Sequence, residues 1–146
     1  MIRAAVLAAA VGLAGAAAAA GAVVPGIVSP SGNIHCVYAA RTDPRNQGGL
    51  FCTIGRAVYA RALQSRCVNG PAAVDWHGWS LTVRGKGSVV CTGGVLWFGR
   101  PRYVRLAYGR DWHAGPYTCH SAVTGVTCRN RARHGLFISR ASWRVW

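Results

Sequence analysis

Six cysteines, Cys36, Cys52, Cys67, Cys91, Cys119 and Cys128, constrain this chain more than any other feature. An even set in a chain of 146 residues reads as a disulfide framework when the protein is exported. No two are spaced C-x-x-C, which removes the spacing that defines zinc ribbons and thioredoxin-like redox sites. Six cysteines allow fifteen pairings, and local patterning selects among them. Ile34, Cys36 and Tyr38 alternate along one expected strand, and Leu50, Cys52 and Ile54 along the next, so Cys36 faces Cys52 across a hairpin. Cys119 and Cys128 flank a Ser-Ala-Val-Thr-Gly turn, which leaves Cys67 to join Cys91. Each such loop closure is worth roughly 3 kcal/mol in the chain-entropy picture.

Export is read from the first residues. Met1-Ile2-Arg3 gives a basic start, Ala4 to Ala20 an uncharged run, and Ala18-x-Ala20 and Ala20-x-Ala22 small-residue cleavage sites. That order is the anatomy of a signal peptide over residues 1–20, cleaved after Ala20 or Ala22. Eleven alanines in the seventeen-residue run make it a weak membrane span. No cysteine follows the cleavage region to carry a lipid, so no membrane anchor is expected after cleavage. The expected location is secreted, periplasmic or cell-envelope, with one disulfide-stapled domain over residues 29–146.

Within that domain, apolar residues alternate with polar ones along Trp79-Leu81-Val83, Val104-Leu106-Tyr108 and Leu136-Ile138. Period-two patterns of this kind predict half-buried antiparallel strands. Glycine and proline turns separate them at Gly85-Lys86-Gly87, Gly99-Arg100-Pro101 and Gly115-Pro116. Arg56 to Arg66 is the one helical candidate, with Val58, Ala62 and Leu63 on one face. The predicted fold is all-β, a small antiparallel β-sandwich or barrel stapled by three disulfides. Asp75-Trp76-His77-Gly78 and Asp111-Trp112-His113-Ala114-Gly115 echo each other, each preceding a strand, a turn and a cysteine, and read as equivalent hairpins.

Lys and Arg total 17 against 3 Asp and no Glu, a net charge of +14 that becomes +13 once Arg3 is cleaved away. This shortage of acids limits catalysis. Only Asp43, Asp75 and Asp111 are available for a carboxylate pair of the kind glycoside hydrolysis needs. A Ser121, His134, Asp111 triad exists only on paper, without a G-x-S-x-G elbow. Two-histidine phosphodiester cleavage is better supplied, with five His and many Arg, yet no spacing singles out a pair. His113 and His120 lack a carboxylate partner at metal-ligand spacing, so no metal, cofactor or catalytic residue is assigned. Binding is the favoured class, because thirteen uncompensated cations create a field that attracts polyanions. Arg129, Arg131 and Arg133 alternate after Cys128, and Arg100, Arg102 and Arg105 cluster before Tyr108. Alternating Arg on an extended segment project from one face roughly 6 to 7 Å apart. The sequence therefore points to a secreted or envelope-associated basic binding module, its ligand an anionic envelope polymer or another polyanion. A secreted inhibitor or toxin-like protein, or a small phosphodiester-cleaving enzyme, are the alternatives.

Ser29-Pro30-Ser31-Gly32-Asn33-Ile34-His35-Cys36, Gly125-Val126-Thr127-Cys128-Arg129-Asn130, His134-Gly135 and Ser139-Arg140 together resemble a family of small exported bacterial proteins of uncharacterised function. Cys52-x-Ile54, Asp75-Trp76, Cys91 and Tyr108-Gly109 fall in place between these motifs. The resemblance implies a secreted domain and no established activity. This chain carries Thr53, Gly93-Gly94 and Arg133 where family members often have Asp, Gly-Asp and Gly. Asn33, Asn130, His134 and Arg140 are expected to satisfy backbone groups around the end motifs.

Overall fold

In the computed structural model, Cys36 lies directly opposite Cys52, and Cys119 directly opposite Cys128, across antiparallel strand pairs. The structure describes residues 23–40, 48–94, 96–97 and 99–146. The expected signal peptide over residues 1–20, its expected cleavage after Ala20 or Ala22, and Asp43 lie outside the described residues. One sheet holds β1 (Val23–Val28), β2 (Ile34–Ala39), β3 (Gly49–Ile54), β4 (Trp76–Leu81), β5 (Gly87–Cys91) and β6 (Arg100–Arg105), in the order β5-β4-β3-β2-β1-β6. The other holds β7 (Asp111–Ala114), β8 (Tyr117–Ala122), β9 (Gly125–Asn130), β10 (Gly135–Ile138) and β11 (Trp143–Val145), in the order β11-β10-β9-β8-β7. One helix, α1 (Ala60–Val68), joins β3 to β4. The sheets stay open and separate, so the fold is the all-β sandwich rather than the barrel. The sheet takes in Val23–Val28, ahead of the start read at residue 29.

All three disulfides form as read: Cys36–Cys52, Cys67–Cys91 and Cys119–Cys128. The two cross-strand pairs have Cα separations of 4.1 and 4.0 Å. Such close approach belongs to residues facing each other at a pair that exchanges no backbone hydrogen bonds. The sulfurs of Cys36, Cys52 and Cys128 lie within 4.8 Å of one another, so these two disulfides touch where the sheets meet. Around them pack Ile27, Leu50, Trp79 and Leu81 from one sheet and Tyr117, Val126, Leu136 and Ile138 from the other. Trp79 is fully enclosed, ringed by Trp76, Tyr59 and Trp143 at centroid distances of 5.2, 6.0 and 6.0 Å. Tilted and edge-to-face rings at these distances add to plain area burial.

β1 and β6 pair in parallel, against the all-antiparallel expectation. The cause is the connection from Cys91 to Arg100, which leaves one edge of the sheet and re-enters at the other. Five strand spacings amount to about 24 Å, and nine residue steps reach at most about 30 Å. The chain must therefore cross a sheet face almost directly. Trp97 marks that face, its ring 6.4 Å from Phe51. Val37, on the same outward face as Phe51, is fully buried although it lies outside the central core. The Cys67–Cys91 bond pins the start of the crossing to α1.

Several local expectations are corrected. The helix runs over Ala60–Val68 rather than Arg56 to Arg66, and buries Leu63 and Cys67 rather than Val58 and Ala62. Without a side-chain cap at Tyr59, tertiary contacts set its limits rather than propensity. Trp79 and Leu81 point inward as read, but Val83 lies beyond the strand and is exposed. β6 is an exposed edge strand in which Val104 faces solvent and only Leu106, past its end, is buried. Its Arg and Pro residues blunt an edge that would otherwise template aggregation. The two Asp-Trp-His stretches are not equivalent: Trp76 pairs with Cys91 in a hairpin, whereas Trp112 pairs with Cys119 and Cys128 lies one strand further on.

Candidate functional site

The β1–β2 turn, the β3–α1 link, the β8–β9 turn and the β10–β11 turn gather at one end of the sandwich. With Tyr108 they enclose a cleft of about 570 Å³. Binding residues concentrate on loops held by a rigid scaffold, and a concavity of this size suits a small ligand or one unit of a polymer. Ser29, Ser31, Asn33, Arg56, Thr124, Ser139 and Arg140 contribute to its polar lining, and no carboxylate lines it among the described residues.

The walls are fixed by backbone bonds. Asn33 Oδ1 accepts from Arg56 N at 2.8 Å, and Asn33 Nδ2 donates to Arg56 O at 2.9 Å. Gly55 N donates to Asn33 O at 2.9 Å, and Ser29 Oγ accepts from Ile34 N at 3.0 Å. Across the cleft, Val58 N donates to Arg140 O at 3.0 Å and Tyr59 Oη to Ser139 O at 2.7 Å. Burial pushes the Tyr59 phenol up to about 12, so it remains a donor across the physiological range. Ser139 Oγ closes its own turn by donating to Ser142 O at 3.0 Å. Arg56 and Arg140 are thus anchored through their main chains, while both side chains are exposed and without a hydrogen-bond or ion-pair partner among the described residues. Two guanidinium groups lining one cleft have the chemistry to pair with a carboxylate, sulfate or phosphate.

None of the six arginines singled out from the sequence lines this cleft. Arg129 lies within β9, one residue before its end, but Arg131 and Arg133 belong to the following turn, where Arg133 has φ 65° and donates its N–H to Asn130 O. The turn breaks the alternation that would have put all three on one face. Arg100 and Arg102 face solvent from the β6 edge, and Arg105 reaches back to the Pro30 carbonyl. Asn130 does hold backbone as expected: Nδ2 donates to Thr82 O and Gly85 O at 2.9 Å each, and Oδ1 accepts from His134 N at 3.1 Å. Arg140 differs, because its side chain opens to the cleft. Arg56 carried no local signal, since its partner Asn33 is 23 residues away.

The Ser121, His134, Asp111 triad is not assembled. Ser121 is buried on the inward face of β8, while Asp111 faces outward and bonds His120 Nδ1 at 2.6 Å. His113 Nδ1 pairs with Thr118 Oγ1 at 3.0 Å on that same outward face. Asp75 is engaged by Gln64 Nε2 at 2.6 Å, which ties α1 to the start of β4. Among the described residues, the cluster of three ligand-type atoms is Cys36, Cys52 and Cys128, all consumed in disulfides. No described helix is long and apolar enough to cross a membrane.

No curated protein and no solved structure matches the chain. The model of the family of unknown function DUF6636 matches residues 5–145, which include every turn that builds the cleft. On that match the chain belongs to the family of unknown function DUF6636.

Proposed function

We propose that this protein is an exported binding module that captures an anionic ligand, without turnover, in the cleft between Arg56 and Arg140. One observation carries the reading: the Ser29–Asn33 and Ser139-Arg140 motifs, more than a hundred residues apart in sequence, meet in a cleft whose two arginine side chains have no partner among the described residues. An unpaired pair of like charges, held in place by the backbone, gains most from an anion bound between them. The remaining cations, including Arg100, Arg102, Arg131 and Arg133, contribute the long-range field that draws a polyanion in. An anionic polymer of the cell envelope fits the expected location and charge. Calorimetric titration with inorganic phosphate and with a short polyphosphate tests the cleft. R56Q/R140Q should weaken both by about tenfold or more, in line with two charged hydrogen-bonded contacts. Unaltered affinity in the folded double variant would exclude the cleft as the site.

A further inference from the structure

We infer that the outward face of the five-stranded sheet is a second binding surface, for single-stranded nucleic acid, with Arg129 and Arg144 taking phosphate and Phe137 taking a base. The strand register places Asp111, His120, Thr127, Phe137 and Arg144 in one row across all five strands. A neighbouring row runs through His113, Thr118, Arg129 and Gly135. Because neighbours two apart along a strand share a face, these residues form one continuous outward surface.

Trp146 organises its cationic end. Its main chain pairs with Gly135 in both directions, at 2.9 and 3.0 Å, and its Nε1 donates to Arg133 O at 3.0 Å. The indole occupies the place a side chain at 135 would need: an added Cβ would come within 2.6 Å of Trp146 Cζ2. Over that ring stand Arg144, with Cζ 5.0 Å from the centroid, and Arg129, at 5.9 Å. The two guanidinium groups are therefore no more than about 11 Å apart. Neither has a carboxylate partner, since the ion pair among the described residues is His120–Asp111, toward the other edge of the sheet. The indole face offsets part of their repulsion, and a bound anion would offset the rest.

Phe137 decides which anionic polymer fits. It lies beside Arg144 on the adjacent strand, half-exposed, and its ring fills the space above Gly125, where an added Cβ would meet it at 2.8 Å. An aromatic ring next to guanidinium groups on an open sheet is the combination that binds unpaired bases and their phosphates together. A polymer of phosphates alone would leave the ring idle, and a duplex would hide the bases. Thr127 adds a hydroxyl along the rest of the face, where His113 is paired with Thr118 and His120 with Asp111. This surface is distinct from the cleft and does not depend on the reading given to it.

Fluorescence anisotropy with labelled oligo(dT), competed by inorganic polyphosphate, tests the inference on the disulfide-intact protein. R129Q/R144Q, with an unchanged circular dichroism spectrum and melting temperature, should bind oligo(dT) about tenfold more weakly and lower the log–log salt slope by about 1.4, the value for two phosphate contacts on a single strand. Either single variant gives the same comparison if the double variant melts early. F137L keeps the apolar volume and should weaken oligo(dT) by at least about fivefold while leaving polyphosphate competition unchanged. R56Q/R140Q should retain oligo(dT) binding. Wild-type affinity in R129Q/R144Q would overturn the site, and equal behaviour of F137L toward both polymers would overturn the nucleic-acid assignment.

Discussion

Asn33 holds the main chain of Arg56 with both ends of its amide, accepting at 2.8 Å and donating at 2.9 Å, so that one side chain acts as a stretch of paired strand. The substitution N33D keeps an acceptor and sets a carboxylate oxygen against the Arg56 carbonyl in place of the donor. Losing that bond and leaving the carbonyl facing a charge should cost about 1–3 kcal/mol. Urea unfolding should register the loss, and phosphate affinity should fall with it as Arg56 loosens. A variant as stable as wild type would mean the clasp contributes nothing.

The disulfides differ in access. Cys36, Cys52, Cys119 and Cys128 are fully buried where the sheets meet, whereas Cys91 is exposed at the end of β5. A thiol reductant must reach a sulfur to exchange with it. Mild reduction followed by alkylation should therefore label Cys67 and Cys91 first while the sandwich stays folded. C67A/C91A should lower stability by about 3 kcal/mol, the loop-closure value for a bond of this span. Simultaneous labelling of all six cysteines under mild conditions would contradict this order.

One buried and one partly buried phenol set an alkaline limit. Burial pushes Tyr117 up to about 12, with the neighbouring Tyr38 adding to the rise and the Leu50 backbone opposing it; burial alone takes Tyr59 to about 12. An unfolded tyrosine titrates near about 10. Between those values the unfolded chain has released protons that the folded chain keeps, so stability falls as pH rises. Each contribution is complete below pH about 10 and gone above about 12. Melting temperature should hold level up to that onset and then decline, and Y117F should show a shallower decline. Parallel curves for the two proteins would refute the role of Tyr117.

Much of the fold is legible in the sequence because its decisive contacts are local or periodic. The Ile34–Tyr38 and Leu50–Ile54 alternation fixes the register that brings Cys36 to Cys52, and a two-residue turn at Val123-Thr124 does the same for Cys119 and Cys128. What stays hidden depends on distant partners. β6 carries an alternating pattern but becomes a parallel edge, because the crossing from Cys91 to Arg100 delivers it beside β1. Arg129, Arg131 and Arg133 look alike in sequence, yet the positive φ of Arg133 turns the chain and separates them. The cleft arises from turns that only the stacking of the two sheets brings together, so Arg56 gives no sign of its place beside Arg140.

The location of the anion is the most direct test of the account. Backbone amide chemical shifts of ¹⁵N-labelled protein should be followed while inorganic phosphate is added at constant ionic strength, in wild type and in R56Q/R140Q. Saturable shifts gathered at Gly32, Asn33, Arg56, Gly125 and Arg140, and lost in the double variant, are the predicted result. Shifts spread evenly over Arg100 to Arg105 and Arg129 to Arg133, without saturation and unaltered by R56Q/R140Q, would contradict it.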